Sequence, residues 1–289
     1  FPAISSEFIE QYGSSVGVDS VVLCVSQSGE TYDTLKAIDY ARMKASTVLG
    51  ITNSVGSTLT RVSRAYIIQQ SGPEIGVAAT KTFTSQLMVL AQLALRLALM
   101  KGKISQDEGD DFRENLLRIP DVVEETLNRN KTHVMDLVDK YGGEQLFVFL
   151  GRGISSSTAL EARLKLLELT YVPSLAYPAG ESKHGPISII EEGVPVIFLC
   201  PRGESRKGIV GGIMEMKARG ARIISVCEEG DHEIIGLSDD VIEMPKGIKD
   251  IFSPIPYVVP LQLFSYYLAV QKDLDPDMPR NLAKSVTVP

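Results

Sequence analysis

The chain has 289 residues, 44% of them apolar and 22% charged, with a formal net charge of −7. That length holds one large or two ordinary domains, and the composition is too apolar for a disordered chain. The acidic balance argues against a general nucleic-acid surface, and no uninterrupted apolar run reaches the ~18 residues a membrane span needs.

The first residue is Phe1, and no charged-then-apolar leader follows, so we expect a piece of a longer chain. In residues 21–31, VVLCVSQSGET, an apolar run stops abruptly at Ser26-Gln27-Ser28-Gly29-Glu30-Thr31. Thr34, Leu35, Ile38 and Ala41 then recur at helical spacing, which reads as a buried parallel strand feeding a helix. The hydroxyls therefore lie at the carboxyl end of a strand and the amino end of a helix, where free N–H groups and the helix dipole favour an anion. Ser26, Gln27, Ser28 and Thr31 around a flexible Gly29 suit phosphate oxygens. No Lys and no GxxxxGK[ST] spacing are present, which excludes a Walker loop. The same residues would serve as a simple helix cap, with Ser28 or Thr31 bonding backbone N–H groups.

A second strand follows at Thr47–Thr52 and a third at Ala65–Ile68. Next comes EIGVAATKTFT (residues 74–84), where Pro73 and small residues precede a helix start. Lys81 there could meet an anion or cap an acidic surface. Residues 87–100, interrupted by Gln92 and Arg96, read as a buried helix. Residues 102–141 are highly charged with helical periodicity, and Pro120 reads as the start of a new helix at Asp121. This is a helical connector.

The remainder repeats the beginning. Residues 196–226 read strand, PRGES loop, helix, strand, as residues 21–52 do. Gly29-Glu30 lines up with Gly203-Glu204, and Lys44-Ala45 with Lys217-Ala218. Residues 65–68 match 241–244, and the helix with Ser85-Gln86-Leu87 matches the one with Leu261-Gln262-Leu263. A further βα unit (residues 145–150 and 157–171) precedes the second copy and has no counterpart in the first. The implied fold class is α/β: two doubly wound parallel-sheet, Rossmann-like, three-layer αβα subdomains related by an internal repeat. The expected division is 1–105 for a first subdomain lacking its first strand and helix. Residues 106–272 form the connector and second subdomain, and 273–289 a tail lying on the body.

Residues 158–171 read TALEARLKLLELTY. Glu161, Lys165 and Glu168 share one helix face, with Leu164 and Leu167 on a different, core-facing side. This is either a solvated charge ladder or a partly buried carboxylate whose basicity Lys165 tunes. The loop YPAGESKHGP (residues 177–186) holds His184, which can move a proton near neutrality. His133 and His232 read as surface residues. Cys24, Cys200 and Cys227 fall in apolar strand-like runs without metal spacing and read as buried structural thiols of a reducing cytoplasm. No metal site and no cofactor are expected.

Six segments in this order, SQSGETYDT, EIGVAATKTFT, LGRG, LEARLKLLELTY, AGESKHGP and PRNLAKSVTV, resemble the isomerase half of the glucosamine-6-phosphate synthase family. These are glutamine–fructose-6-phosphate aminotransferases built from two sugar isomerase (SIS) domains. The resemblance covers essentially the whole chain. It implies a substrate phosphate at Ser26, Gln27, Ser28 and Thr31, with Val77 and Ala79 in the binding segment. It implies that Glu168 moves the proton between C1 and C2 with Lys165 as its charged partner. His184 would open the sugar ring from the neighbouring subunit of a homodimer, and Lys284 would engage the open-chain ketose as a Schiff base or a cation. The family has Ser where Ala79 stands, ends in Glu where this chain has Pro289, and carries a glutaminase half that is absent here. The implied reaction joins fructose 6-phosphate and ammonia to give glucosamine 6-phosphate in the cytoplasm, with no nucleic acid or membrane partner. The alternatives are a stand-alone SIS deaminase running the reverse reaction and a non-catalytic sugar-phosphate sensor.

Overall fold

In the computed structural model, which describes residues 1–288, the strands divide into two all-parallel sheets. One sheet belongs to a unit of Phe1–Leu93 with the chain from Arg280 on; the other belongs to Ala94–Pro279.

The first unit runs α1 (Phe8–Tyr12), β1 (Val21–Val25), α2 (Tyr32–Met43), β2 (Thr47–Thr52), α3 (Thr58–Val62), β3 (Ala65–Ile68), and then into α4 (Lys81–Met100). Its sheet order is β1-β2-β3, with Val21 opposite Thr47 and Leu49 opposite Ala65. Helix α2 buries Thr34, Ala37, Ile38 and Ala41, a stripe at helical spacing, against Phe8, Cys24, Val48 and Leu59.

Two expectations fail here for one physical reason. β1 is parallel, as its apolar run requires, yet it is exposed: Val21 is 64%, Leu23 37% and Val25 36% accessible. Helix α4 was expected to be buried, yet Thr82 is the only buried residue among its twenty. β1 pairs with β2 alone and so forms a sheet edge. Beside it opens a groove of about 660 Å³ lined by Phe1, Phe8, Val21, Leu23 and Leu90, among others. By length and composition alone α4 is sufficient to cross a bilayer. Its place after the third strand of the repeat is that of a core helix in the second unit.

The second unit adds α5 (Gln106–Tyr141), β4 (Phe147–Gly151), α6 (Ile154–Thr170), β5 (Ser174–Pro178), β6 (Pro195–Cys200), α7 (Arg206–Lys217), β7 (Arg222–Glu228), α8 (His232–Leu237), β8 (Asp240–Met244) and α9 (Pro254–Gln271). Its sheet order is β5-β4-β6-β7-β8. Here the repeat is complete: β6, the counterpart of β1, pairs with β4 on one side and β7 on the other, and every residue of it is buried. Alternation along the strands builds two cores. Phe149, Ile197, Leu199 and Val226 face α5, α6 and α9. Leu150, Phe198, Cys200 and Ile223 face Ile209, Ile213 and Ile234 of α7 and α8. This is a three-layer αβα arrangement. The three cysteines are buried free thiols.

Three local readings change. Pro120 starts no helix; α5 runs unbroken through it. A capping box of Ser105 and Glu108 starts α5, and the buried stripe Leu116, Ile119, Val122, Thr126 continues on both sides of the exposed proline. Packing along that stripe outweighs the one hydrogen bond a proline removes. On α6 the core stripe is Ala159, Ala162, Leu166 and Leu169, while Leu164 is 40% exposed. The helix is rotated so that Lys165 is buried in place of Leu164. His133 is half-buried, its Nε2 lying 2.8 Å from the Val241 carbonyl, whereas His232 is exposed as expected.

Candidate functional site

The first unit builds its site on the loop after β1. Ser26 is 6% exposed; its hydroxyl accepts from the Gly29 N–H at 3.1 Å and lies 3.0 Å from the Thr31 hydroxyl. The Ser28 hydroxyl accepts from the Glu30 N–H at 3.1 Å, and the Gln27 carbonyl accepts from the Asn53 N–H at 3.0 Å and the Thr52 hydroxyl at 3.1 Å. Gly29 has φ +66°, and a Cβ there would lie 2.3 Å from the Ser57 Oγ, so glycine is required. The Glu30 carboxylate turns to Thr58, accepting its N–H at 2.6 Å, and the bonds from Thr58 hold Glu30 below the ordinary carboxylate range.

The simple-cap reading does not hold. Thr31 is the N-cap of α2, but its side chain caps nothing. Ser28 bonds Glu30, before the helix begins. The loop thus gathers three hydroxyls at the start of a 12-residue helix, an arrangement suited to an anion's oxygens.

The chain's last described residues close on this loop. Ser285 Oγ lies 3.0 Å from Ser28 Oγ, and the Val286 carbonyl accepts the Tyr32 N–H at 3.0 Å. Lys284 Nζ donates to the Gly76 carbonyl at 2.7 Å and lies 3.4 Å from the Glu74 carboxylate. Val77 and Ala79 are half-buried in the same segment, and Ala79 brings no polar side-chain atom. Lys81 is exposed at the head of α4.

The corresponding loop of the second unit, residues 201–205, is differently occupied. Arg202 pairs with Glu228 at 2.9 Å, and Arg206 with Asp231 and with Glu233 at 2.7 Å. The carboxylates of Asp231 and Glu233 raise the Arg206 pKa above its ordinary value. The cations in and beside this loop are thus paired with carboxylates of their own unit.

The second unit's buried charge cluster lies on α6. Lys165, 2% exposed, pairs with Glu161 at 3.2 Å and more closely with Glu168. Glu161 is pushed up by burial and by the neighbouring Glu168, against the pull of Lys165. One buried ammonium thus lies between two carboxylates on one face of the helix. His184 ends the turn Glu181–His184, exposed and without a hydrogen bond or ion pair among the described residues. No grouping of His, Cys, Asp and Glu among the described residues could hold a metal ion.

The SIS domain pattern matches residues 2–96 and 144–272.

The chain belongs to the SIS family.

Over 284 residues it is 43% identical to a glutamine–fructose-6-phosphate aminotransferase (isomerizing) of Thermococcus kodakarensis, covering 98% of this chain and 46% of the relative. It thus spans about half the length of the relatives it matches. Among solved structures, this SIS protein resembles the C-terminal domain of glucosamine-fructose-6-phosphate aminotransferase from Francisella tularensis. That match has 32% identity and a TM-score of 0.87, covering 95% of this chain and 82% of that one. A glucosamine-6-phosphate deaminase of Thermotoga maritima follows, at 25% identity and a TM-score of 0.76, covering 98% of this chain and 80% of that one. The sequence resemblance to the isomerase half of the aminotransferases is therefore upheld.

Sequence reading missed Glu74, Gly76 and Ser285. The signal for Glu74 is an acid six and eight residues before Thr80 and Thr82, both of which it binds.

Proposed function

We propose that this SIS protein converts fructose 6-phosphate and ammonia to glucosamine 6-phosphate. The ion pair of Glu168 with the buried Lys165 carries the reading. The names of the relatives and the anion cradle at Ser26, Gln27, Ser28 and Thr31 support it.

Ser26, Gln27, Ser28 and Thr31 hold the phosphate, with Val77 and Ala79 against the sugar. His184, contributed by the neighbouring subunit of a homodimer, moves the proton that opens the ring. The Lys284 ammonium polarises the C2 carbonyl; attack there as an amine would first require that proton to leave. Ammonia adds to C2 and water departs, leaving an imine. Glu168 takes a proton from C1 as the imine nitrogen gains one, giving an enaminol; it then returns a proton to C2 while the C1 hydroxyl gives up its own, so that C1 becomes the aldehyde and C2 bears the amine. The ion pair with Lys165 holds the Glu168 carboxyl in place for both transfers.

No cofactor or metal enters this sequence of steps. We assign the ammonia supply to a glutaminase domain outside these 289 residues and place the protein in the cytoplasm, where its free thiols stay reduced. The functional division is 1–105 and 106–272, with 273–289 completing the site. Incubation with fructose 6-phosphate and an ammonium salt should yield glucosamine 6-phosphate faster than the reverse assay releases ammonia. The opposite ratio would identify a deaminase. No turnover in either direction, with sugar phosphate still bound, would identify a sensor.

A further inference from the structure

Lys284 sits on an irregular stretch near the chain's end, where no helix or strand fixes its long side chain. What fixes it is a carboxylate on the body of the first unit. The Glu74 side chain is 5% exposed, and both its oxygens are committed. Oε1 accepts from the Thr80 N–H at 2.8 Å and the Thr80 hydroxyl at 2.9 Å; Oε2 accepts from the Thr82 hydroxyl and faces Lys284 Nζ at 3.4 Å. Burial alone would raise the pKa of Glu74, but hydrogen bonds from Thr82 and Thr80, with the charge of Lys284, bring it below the ordinary range. The carboxylate is therefore held by Thr80 and Thr82 of its own segment as well as by the lysine.

We propose that Glu74 is the positioning residue that presents Lys284 to the substrate carbonyl. An ammonium has three donors. Gly76 takes one at 2.7 Å and Glu74 orients a second, which leaves the third for the open-chain ketose. The inference rests on the role proposed for Lys284. Glu74 touches no reacting atom; it sets the angle at which the ammonium meets C2, a placement to which rates are steeply sensitive. The threonines belong to the same device, because their bonds stop the carboxylate from following a mobile tail.

The test compares the parent, Glu74→Gln, Lys284→Met and the double variant in two readouts. Glu74→Gln should lower kcat by about 10- to 100-fold with KM for fructose 6-phosphate within about twofold, and should have no further effect in the Lys284→Met background. An equal loss in both backgrounds, or a loss confined to KM, would overturn the proposal. In amide hydrogen exchange, Glu74→Gln and Lys284→Met should each speed exchange at Tyr32, whose N–H bonds Val286 on the same tail. Parental protection in both variants would also overturn it. Lys284→Met leaves Glu74 and its threonines intact, so it decides the point even if Glu74→Gln does not fold. A parent without turnover would sink the proposed reaction, and the exchange readout would still decide whether Glu74 holds Lys284.

Discussion

The hydroxyls of Ser28 and Ser285 lie 3.0 Å apart across 257 positions of sequence. That contact joins the loop after β1 to a tail that otherwise has no regular structure, and it brings Lys284 beside Glu74 and Gly76. The first unit is therefore assembled from both ends of the chain, the later one contributing polar contacts and, among the described residues from Arg280 on, no fully buried side chain.

Ending the chain at Pro279 should abolish turnover and leave thermal unfolding nearly unchanged. None of residues 280–288 is fully buried, and the half-buried Lys284 and Ser285 make polar contacts, so little apolar burial is lost with them. Circular dichroism melts and the synthesis assay, run on the same preparation, check this. A fall in melting temperature as large as a core substitution produces would count against it.

On α6, replacing Lys165 with Met should destabilise the fold by about 3–5 kcal/mol, because Glu161 and Glu168 would face each other without their cation. Urea unfolding measures this. Replacing Glu168 with Gln should cost turnover by about 10²- to 10⁴-fold, the usual worth of a general base. It should leave the fold intact, since Glu161 still pairs with Lys165.

Glu161 carries a pH dependence of definite sign. Its folded pKa is raised above the ordinary 4.5, first by burial and then by Glu168, so the folded state binds its proton more tightly than the unfolded chain. That contribution to stability is fully present below the unfolded pKa and is lost as pH rises through the raised folded value. Glu161→Gln should therefore raise the urea midpoint at pH 7 relative to the parent, and the difference should shrink near pH 4. A stabilisation that grew on acidification would have the wrong sign.

The thiols should be inert in the native protein. Burial pushes Cys24 up to about 11 and Cys227 up to about 12, and Cys200 well above its ordinary value. A thiol-disulfide reagent at pH 8 should modify none of the three until denaturant is added. Rapid labelling of any one would show that its strand opens.

The exposed edge of β1 should drive self-association through strand pairing. Leu23→Lys places a charge on that edge at a residue 37% accessible, so the fold should tolerate it. Light scattering at raised concentration should fall in the variant and stay high in the parent.

The internal repeat made the architecture legible: aligning residues 21–52 with 196–226 identified parallel strands, crossover helices and equivalent loops. The burial of β1 was not legible, because apolar runs report what a strand can pack against, while edges are decided by neighbours. Pro120 and Leu164 misled for a related reason. Propensity and spacing are local, but the long stripe of α5 and the rotation of α6 are set by packing across the unit. The charge set Glu161, Lys165 and Glu168 could be read from spacing alone, whereas the Glu74–Lys284 pair joins residues 210 positions apart and no local pattern announces it.

The measurement that bears most directly on the central claim is solvent exchange at carbon. Glucosamine 6-phosphate held with the parent protein in D₂O should gain deuterium at C2, read by proton NMR, and the Glu168→Gln variant should leave that position protonated. Exchange in the variant at the parental rate would contradict the assignment of proton transfer to Glu168.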